Sequence, residues 1–200
     1  MLEILAFTSY MSVMSITPGP NNIMLASSGV NFGFRRTLPH MLGISLGCAF
    51  QLFVTAVLLG HILVWLGNIR GLLAMLGCTY LLYLSWKLAH SAAPGSSHIA
   101  SQPLGFTEAA LFQWINPKAW VMVINAAILF MPQQESAIAA ALALSLLTAL
   151  VNLPCIAVWA LGGDRLRHHL QQPQRLRLFN LSMAMLMATT AIWMLWDELL

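Results

Sequence analysis

Two stretches of this 200-residue sequence carry residue types that a plain apolar helix would not. The first is Thr17-Pro18-Gly19-Pro20-Asn21-Asn22, embedded in a long uncharged run. Each proline removes a backbone donor, and its ring presses on the carbonyl four residues earlier, here Met14 and Ile16. The segment therefore predicts a broken helix. One half would end in bared carbonyls near Met14 to Ile16, and the next would begin near Pro20 with Asn21 or Asn22 as its cap. Carbonyl dipoles on one side and free N–H groups on the other suit the ammonium and carboxylate of an α-amino acid. A kink that only shapes packing is the plainer alternative.

The second stretch is Asn116-Pro117-Lys118, where Pro117 would free the carbonyl of Gln113. Lys118 lies about ten residues past Glu108, on the order of 15 Å along a helix. A charge that deep costs about 2.5–3.5 kcal/mol on insertion scales and is rarely idle. Three roles stay open for it: binding a substrate carboxylate, holding carbonyls bared by the broken helix, or snorkelling to the interface. Asn152 and Pro154, and Gln51, fall at related depths. The expected substrate-binding set is thus Thr17, Pro18, Gly19, Pro20, Asn21, Asn22, Gln51, Asn116, Pro117, Lys118 and Asn152. No catalytic, metal or cofactor motif accompanies it. His168-His169 reads as a solvated loop, His61 as an interfacial histidine, and Cys48, Cys78 and Cys155 as packing residues in apolar runs. Gly43 and Gly47 form a small-xxx-small pair suited to close helix packing.

The elements that must position these residues follow from composition. The chain is 59% hydrophobic and 8% charged, against roughly 25% charged in soluble domains. That excludes a soluble globule, and a net charge of +3 spread over the whole chain makes no nucleic-acid surface. Uncharged runs predict an all-α integral membrane protein with six transmembrane helices, at about 4–26, 41–65, 71–89, 108–130, 138–160 and 178–196. The loops after spans 1, 3 and 5 hold Arg35, Arg36, Lys87, Arg165, Arg167, Arg175 and Arg177, and the opposite loops hold only Arg70. The positive-inside rule places the seven in the cytoplasm and both termini outside. Trp65, Trp193 and Trp196 would mark the outer interface, and Trp86 and Trp159 the inner. The N-terminus, with Glu3 in place of a basic region, does not read as a cleavable signal. Residues 1–200 read as one membrane domain: a three-helix half (1–90), a polar cytoplasmic linker (91–105) and a second half (106–200). Odd-numbered halves insert with opposite topology, which predicts a 3+3 inverted repeat, although the two proline motifs are not expected to be symmetry mates.

The TPGPNN segment, the Gly33-Phe34-Arg35-Arg36 stretch leading to Gly43-Ile44-Ser45-Leu46-Gly47, the run from Gly77 to Lys87, and Phe112 to Lys118 together resemble the LysE/RhtB family of bacterial amino-acid exporters. The resemblance leans toward the branch of cysteine and O-acetylserine exporters. It implies export of a small amino-acid substrate across a bacterial inner membrane, driven by protons in antiport. No Asp or Glu lies deep in a span to carry that proton. Partners are then the substrate, protons and the lipid bilayer, with a homo-oligomer left open. Two other classes compete: a non-transporting membrane scaffold, and an intramembrane enzyme, which would need paired acids or a Ser/His pair at shared depth.

Overall fold

A computed structural model describes residues 2–90, 102–131, 137–170 and 172–199. Most of the expected linker lies outside them, as do Glu135 and the side chains of Glu3, His61, Trp65, Arg70, Asp197 and Glu198. Among the described residues the chain forms eight α-helices, one 3-10 turn and no strand. In order these are α1 (Leu2–Ile16), α2 (Pro20–Phe32), α3 (Phe34–Val57), α4 (Leu59–Ala89), α5 (Phe106–Phe112), the 3-10 turn Gln113–Ile115, α6 (Pro117–Phe130), α7 (Ala137–Arg167) and α8 (Pro173–Leu199). Among the described residues four helical stretches are long and apolar enough to cross a membrane: Phe34–Val57, Gly71–Ala89, Ile138–Arg167 and Pro173–Trp193. The shorter apolar helices Ile4–Ile16 and Pro117–Phe130 belong to the two interrupted regions.

The helices do not stop where the uncharged runs stop. Gly33, at φ 84°, is the one residue between α2 and α3, so Arg35 and Arg36 occupy the first turn of α3 instead of a loop. Glycine alone takes that left-handed conformation at no steric cost. Arg165 and Arg167 close α7, and Arg175 and Arg177 open α8. The turn between expected spans 2 and 3 falls at Leu58, not at residues 66–70, and Arg70 lies within α4. The expected fourth span is also divided, by the 3-10 turn.

The packing is that of a membrane protein. Along α3, Leu38, Leu42, Leu46 and Phe50 form an exposed stripe at four-residue spacing, while His40, Ile44, Gln51 and Thr55 are fully buried. On α7, Leu146 and Leu150 are 67% and 72% exposed, and Thr148 and Asn152 are 0% and 2% exposed. Apolar outward and polar inward is the arrangement lipid demands, and so large an apolar exposure is foreign to a soluble monomer. Between helices in lipid no hydrophobic drive operates, so close approach and hydrogen bonds must hold the bundle. Both are present. A Cβ at Gly29 would collide with the Ala160 carbonyl, and one at Gly163 with the Ala26 carbonyl, so α2 and α7 touch backbone to backbone. Gly43 and Gly47, the pair the sequence marks for close packing, meet Phe106 and Ala110 of α5. Asn31 and Asn180 exchange amide bonds of 2.9 and 3.1 Å between α2 and α8. Ser45 Oγ donates to the Ala149 carbonyl (3.0 Å) and Ser85 Oγ to that of Ala184 (2.7 Å). The heaviest packing joins α2 and α3 to α7, and α4 to α8, so residues before the linker pack chiefly on residues after it.

Candidate functional site

The helix does break where the two prolines require it. α1 ends at Ile16 and α2 begins at Pro20, with Gly19 extended between them (φ 176°, ψ 177°). Any residue could adopt that backbone, so the demand for glycine comes from space. A Cβ here would sit 2.8 Å from Lys118 Cδ and 3.0 Å from its Nζ.

Breaking a helix inside a bundle bares carbonyls that must be satisfied, and the five from Met14 to Pro18 all are. The Met14 carbonyl accepts from Thr17 Oγ1 (3.1 Å). Asn22 Nδ2 donates to the carbonyls of Ser15 and Thr17, both at 2.8 Å. The Ile16 carbonyl accepts the indole N–H of Trp159 (3.0 Å), a residue the sequence assigns only to the interface belt. Lys118 Nζ donates to the Thr17 carbonyl (2.7 Å), Thr17 Oγ1 (3.0 Å) and the Pro18 carbonyl (3.1 Å). Of the three roles open for Lys118, bracing the break is the one its contacts display. Neither asparagine caps α2 by a side-chain bond. Asn22 instead reaches back to α1, and Asn21 pairs with Gln113.

The second interruption has the same logic. Pro117 is the first residue of α6, and Asn116 caps it, its side chain accepting from Lys118 N (3.2 Å). The Gln113 carbonyl, which Pro117 cannot leave in a helical bond, accepts from Gln51 Nε2 (3.2 Å) and from Asn116 N (3.3 Å). Gln113 itself is fully buried and ties the two breaks together. Its Oε1 accepts from Asn21 Nδ2 (2.9 Å) and Cys48 Sγ (3.3 Å), and its Nε2 donates to Asn21 Oδ1 (3.3 Å) and the Ala109 carbonyl (2.9 Å). The sequence reading passes over Gln113 as a ligand, although its place four residues before Pro117 is the signal for it.

Thr17, Pro18, Gly19, Asn21, Asn22, Asn116, Lys118 and Asn152 thus converge around one junction. Pro20 and Pro117 start the helices that flank it, and Gln51 joins through Gln113. At its centre is a cavity of about 30 Å³, lined among others by Ser15, Gly19, Asn21, Asn22, Lys118 and Asn152. Asn152 Nδ2 donates to Ser15 Oγ (3.0 Å). The amide oxygens of Asn22 and Asn152 are buried there without a partner. Among the described residues no cluster of three or more His, Cys, Asp or Glu is placed to hold a metal, and His168 and His169 are exposed.

A multi-pass helical bundle with interrupted helices meeting around buried polar groups is the architecture of a membrane transporter. Residues 12–198 match the family model described as LysE type translocator. The chain is 31% identical over 191 residues to a cysteine/O-acetylserine efflux protein of Salmonella paratyphi A, covering 94% of each chain. It is 28% identical over 187 residues to the protein of that name in Escherichia coli K12, again covering 94% of each. No solved structure matches. The chain belongs to the LysE-type translocator family and is a transporter, not an enzyme.

Proposed function

We propose that this protein exports small amino acids or their derivatives from the cytoplasm across the bacterial inner membrane, in exchange for protons. Its relatives' names make L-cysteine and O-acetyl-L-serine the first substrates to test. In this reading α1 with α2 and α5 with α6 are two broken spans, giving six crossings. The basic ends of α3, α4, α7 and α8 face the cytoplasm by the positive-inside rule, and both termini face outward. The two halves form a 3+3 inverted repeat and rock to expose the junction to each side in turn.

The observation that carries the reading is the pair of orphaned amide oxygens, Asn22 Oδ1 and Asn152 Oδ1, in one cavity with the Lys118 amine. A buried acceptor left unpaired costs about 1–3 kcal/mol, so two in one place call for a donor. A substrate ammonium supplies one. The carboxylate goes to Lys118 and to the N-terminus of α2, whose first N–H groups have no partner within the helix. A cavity of about 30 Å³ holds about two waters, which is too little for an amino acid. Loading therefore needs the junction to widen, with Lys118 exchanging the Pro18 carbonyl for the substrate carboxylate.

Counterflow of radiolabelled O-acetyl-L-serine into proteoliposomes tests this. A transporter accumulates unchanged label when preloaded with unlabelled substrate, an enzyme changes it chemically, and a scaffold does neither. An acid exterior should speed efflux if protons are exchanged, and an indifferent rate would remove the antiport element.

A further inference from the structure

A second and larger cavity, about 100 Å³, opens at the basic end of the bundle between α2, α3, α4, α5 and α8. Four features of its wall stand out. His40 is fully buried, its Nδ1 3.2 Å from Ser28 Oγ and its Nε2 without a partner. Ser27, 5% exposed, also has no partner for its hydroxyl. Glu108 stands at the wall with one carboxylate oxygen accepting from Tyr80 OH (2.6 Å), which fixes its direction. Lys87, from the last turn of α4, brings the opposite charge to the same space.

Packing alone does not account for this set. A buried unpaired hydroxyl and ring nitrogen each carry a cost that a purely structural cavity would shed by apolar replacement. An acid and a base flanking one cavity, with neutral polar groups deep in its wall, match the charge separation of a zwitterion. The cavity also lies on the line to the broken helix. Ser27 and Ser28 follow Asn21 and Asn22 along α2 by six residues, about 9 Å at 1.5 Å per residue, and Met24, which lines the cavity, lies between.

Resting on the export reading above, we propose that this cavity is the cytoplasmic entry site. It first holds a small zwitterionic α-amino acid with a polar side chain, before the substrate passes Met24 to the junction at Gly19. Glu108 receives the ammonium, Lys87 the carboxylate, and Ser27 and His40 the polar atoms of the side chain.

The test is counterflow of O-acetyl-L-serine over a concentration series in wild type, Glu108→Gln, Lys87→Gln and Ser27→Ala. Each charge variant should raise KM about tenfold, the worth of one charge-assisted hydrogen bond, with a smaller effect on Vmax. Ser27→Ala should raise KM about threefold, in line with loss of a neutral bond, with melting temperature held or raised. A merely structural hydroxyl would leave KM alone. Inhibition by truncated analogues separates the two charges. Lys87→Gln should narrow the advantage of O-acetyl-L-serine over O-acetylethanolamine, which lacks the carboxylate. Glu108→Gln should narrow its advantage over 3-acetoxypropanoate, which lacks the ammonium. Vigorous wild-type counterflow with unchanged KM and discrimination in both charge variants overturns the entry site and leaves the exporter standing. Absence of wild-type counterflow for any amino acid overturns the exporter reading itself.

Discussion

Replacing Lys118 by Met removes three hydrogen bonds and one positive charge from the junction while keeping a side chain of comparable reach. The structural loss is bounded by what each acceptor retains. The Thr17 carbonyl keeps Asn22, and Thr17 Oγ1 keeps its bond to the Met14 carbonyl, so the Pro18 carbonyl is the one left bare. That carbonyl lies at an exposed position, so the lost bond costs no more than about 1 kcal/mol. Relief of the amine's own desolvation offsets part of that, so the variant should insert, fold and melt only slightly below wild type. Transport should suffer far more, because under the proposed function the amine is also the cation offered to the substrate carboxylate. Truncating one partner of a buried charge pair costs about 2–5 kcal/mol. At 1.36 kcal/mol per factor of ten, the counterflow rate should fall at least about thirtyfold. The assay is proteoliposome counterflow, with thermal melting in detergent as the control for folding. A Lys118→Met protein that transports within about threefold of wild type refutes the dual role, whatever its melting temperature.

Three further perturbations probe the same junction. Pro18→Ala combined with Pro20→Ala restores two N–H donors and favours one continuous helix, so counterflow should drop at least about tenfold without loss of melting temperature; normal transport would make the break dispensable. Gly19→Ala places a methyl against the Lys118 stem. That stem is flexible, so stability should fall by no more than about 1 kcal/mol, while counterflow should fall several-fold as the amine is displaced. Gln113→Ala strips partners from Asn21 and Cys48 in a fully buried setting. Melting should drop by an amount equivalent to about 2–4 kcal/mol, and a variant as stable as wild type would contradict the bridging role.

The apolar helical character of the chain, including four helices long enough to cross a membrane, is legible in the sequence because charge-free runs are long and lipid tolerates few charges. The helix ends are not. Backbone hydrogen bonding continues past the hydrocarbon edge, so α3 begins at Phe34 and α7 runs to Arg167 through residues that read as loop. The turn at Leu58 lies in an apolar run with no proline or charge to mark it. The break at Pro18 to Pro20 is legible because proline chemistry is local. Pro117 likewise announces that the Gln113 carbonyl needs a partner, but not that Gln51 supplies it across 62 residues. Trp159 shows the limit of belt statistics, since an indole near an interface also serves as a donor to Ile16. The cavity around His40 escapes sequence reasoning altogether. Ser27, Ser28, His40 and Lys87 look like an ordinary polar border until the fold brings α2, α3 and α4 around one space.

The chain carries its own reporter for the central claim, that a zwitterion occupies the junction at Gly19. Cys48 lines that cavity and is buried, so a maleimide reaches it only when the junction widens for loading, whereas Cys78 lies in a separate core cluster with Met187 and Ala191. The direct measurement is the rate of N-ethylmaleimide labelling at Cys48 in a transport-competent Cys155→Ser protein, with and without O-acetyl-L-serine, Cys78 serving as internal control. Substrate should slow labelling of Cys48 selectively and in a saturable manner, and the protection should vanish in Lys118→Met. Labelling of Cys48 that is indifferent to substrate in a protein that still exports it would contradict the account.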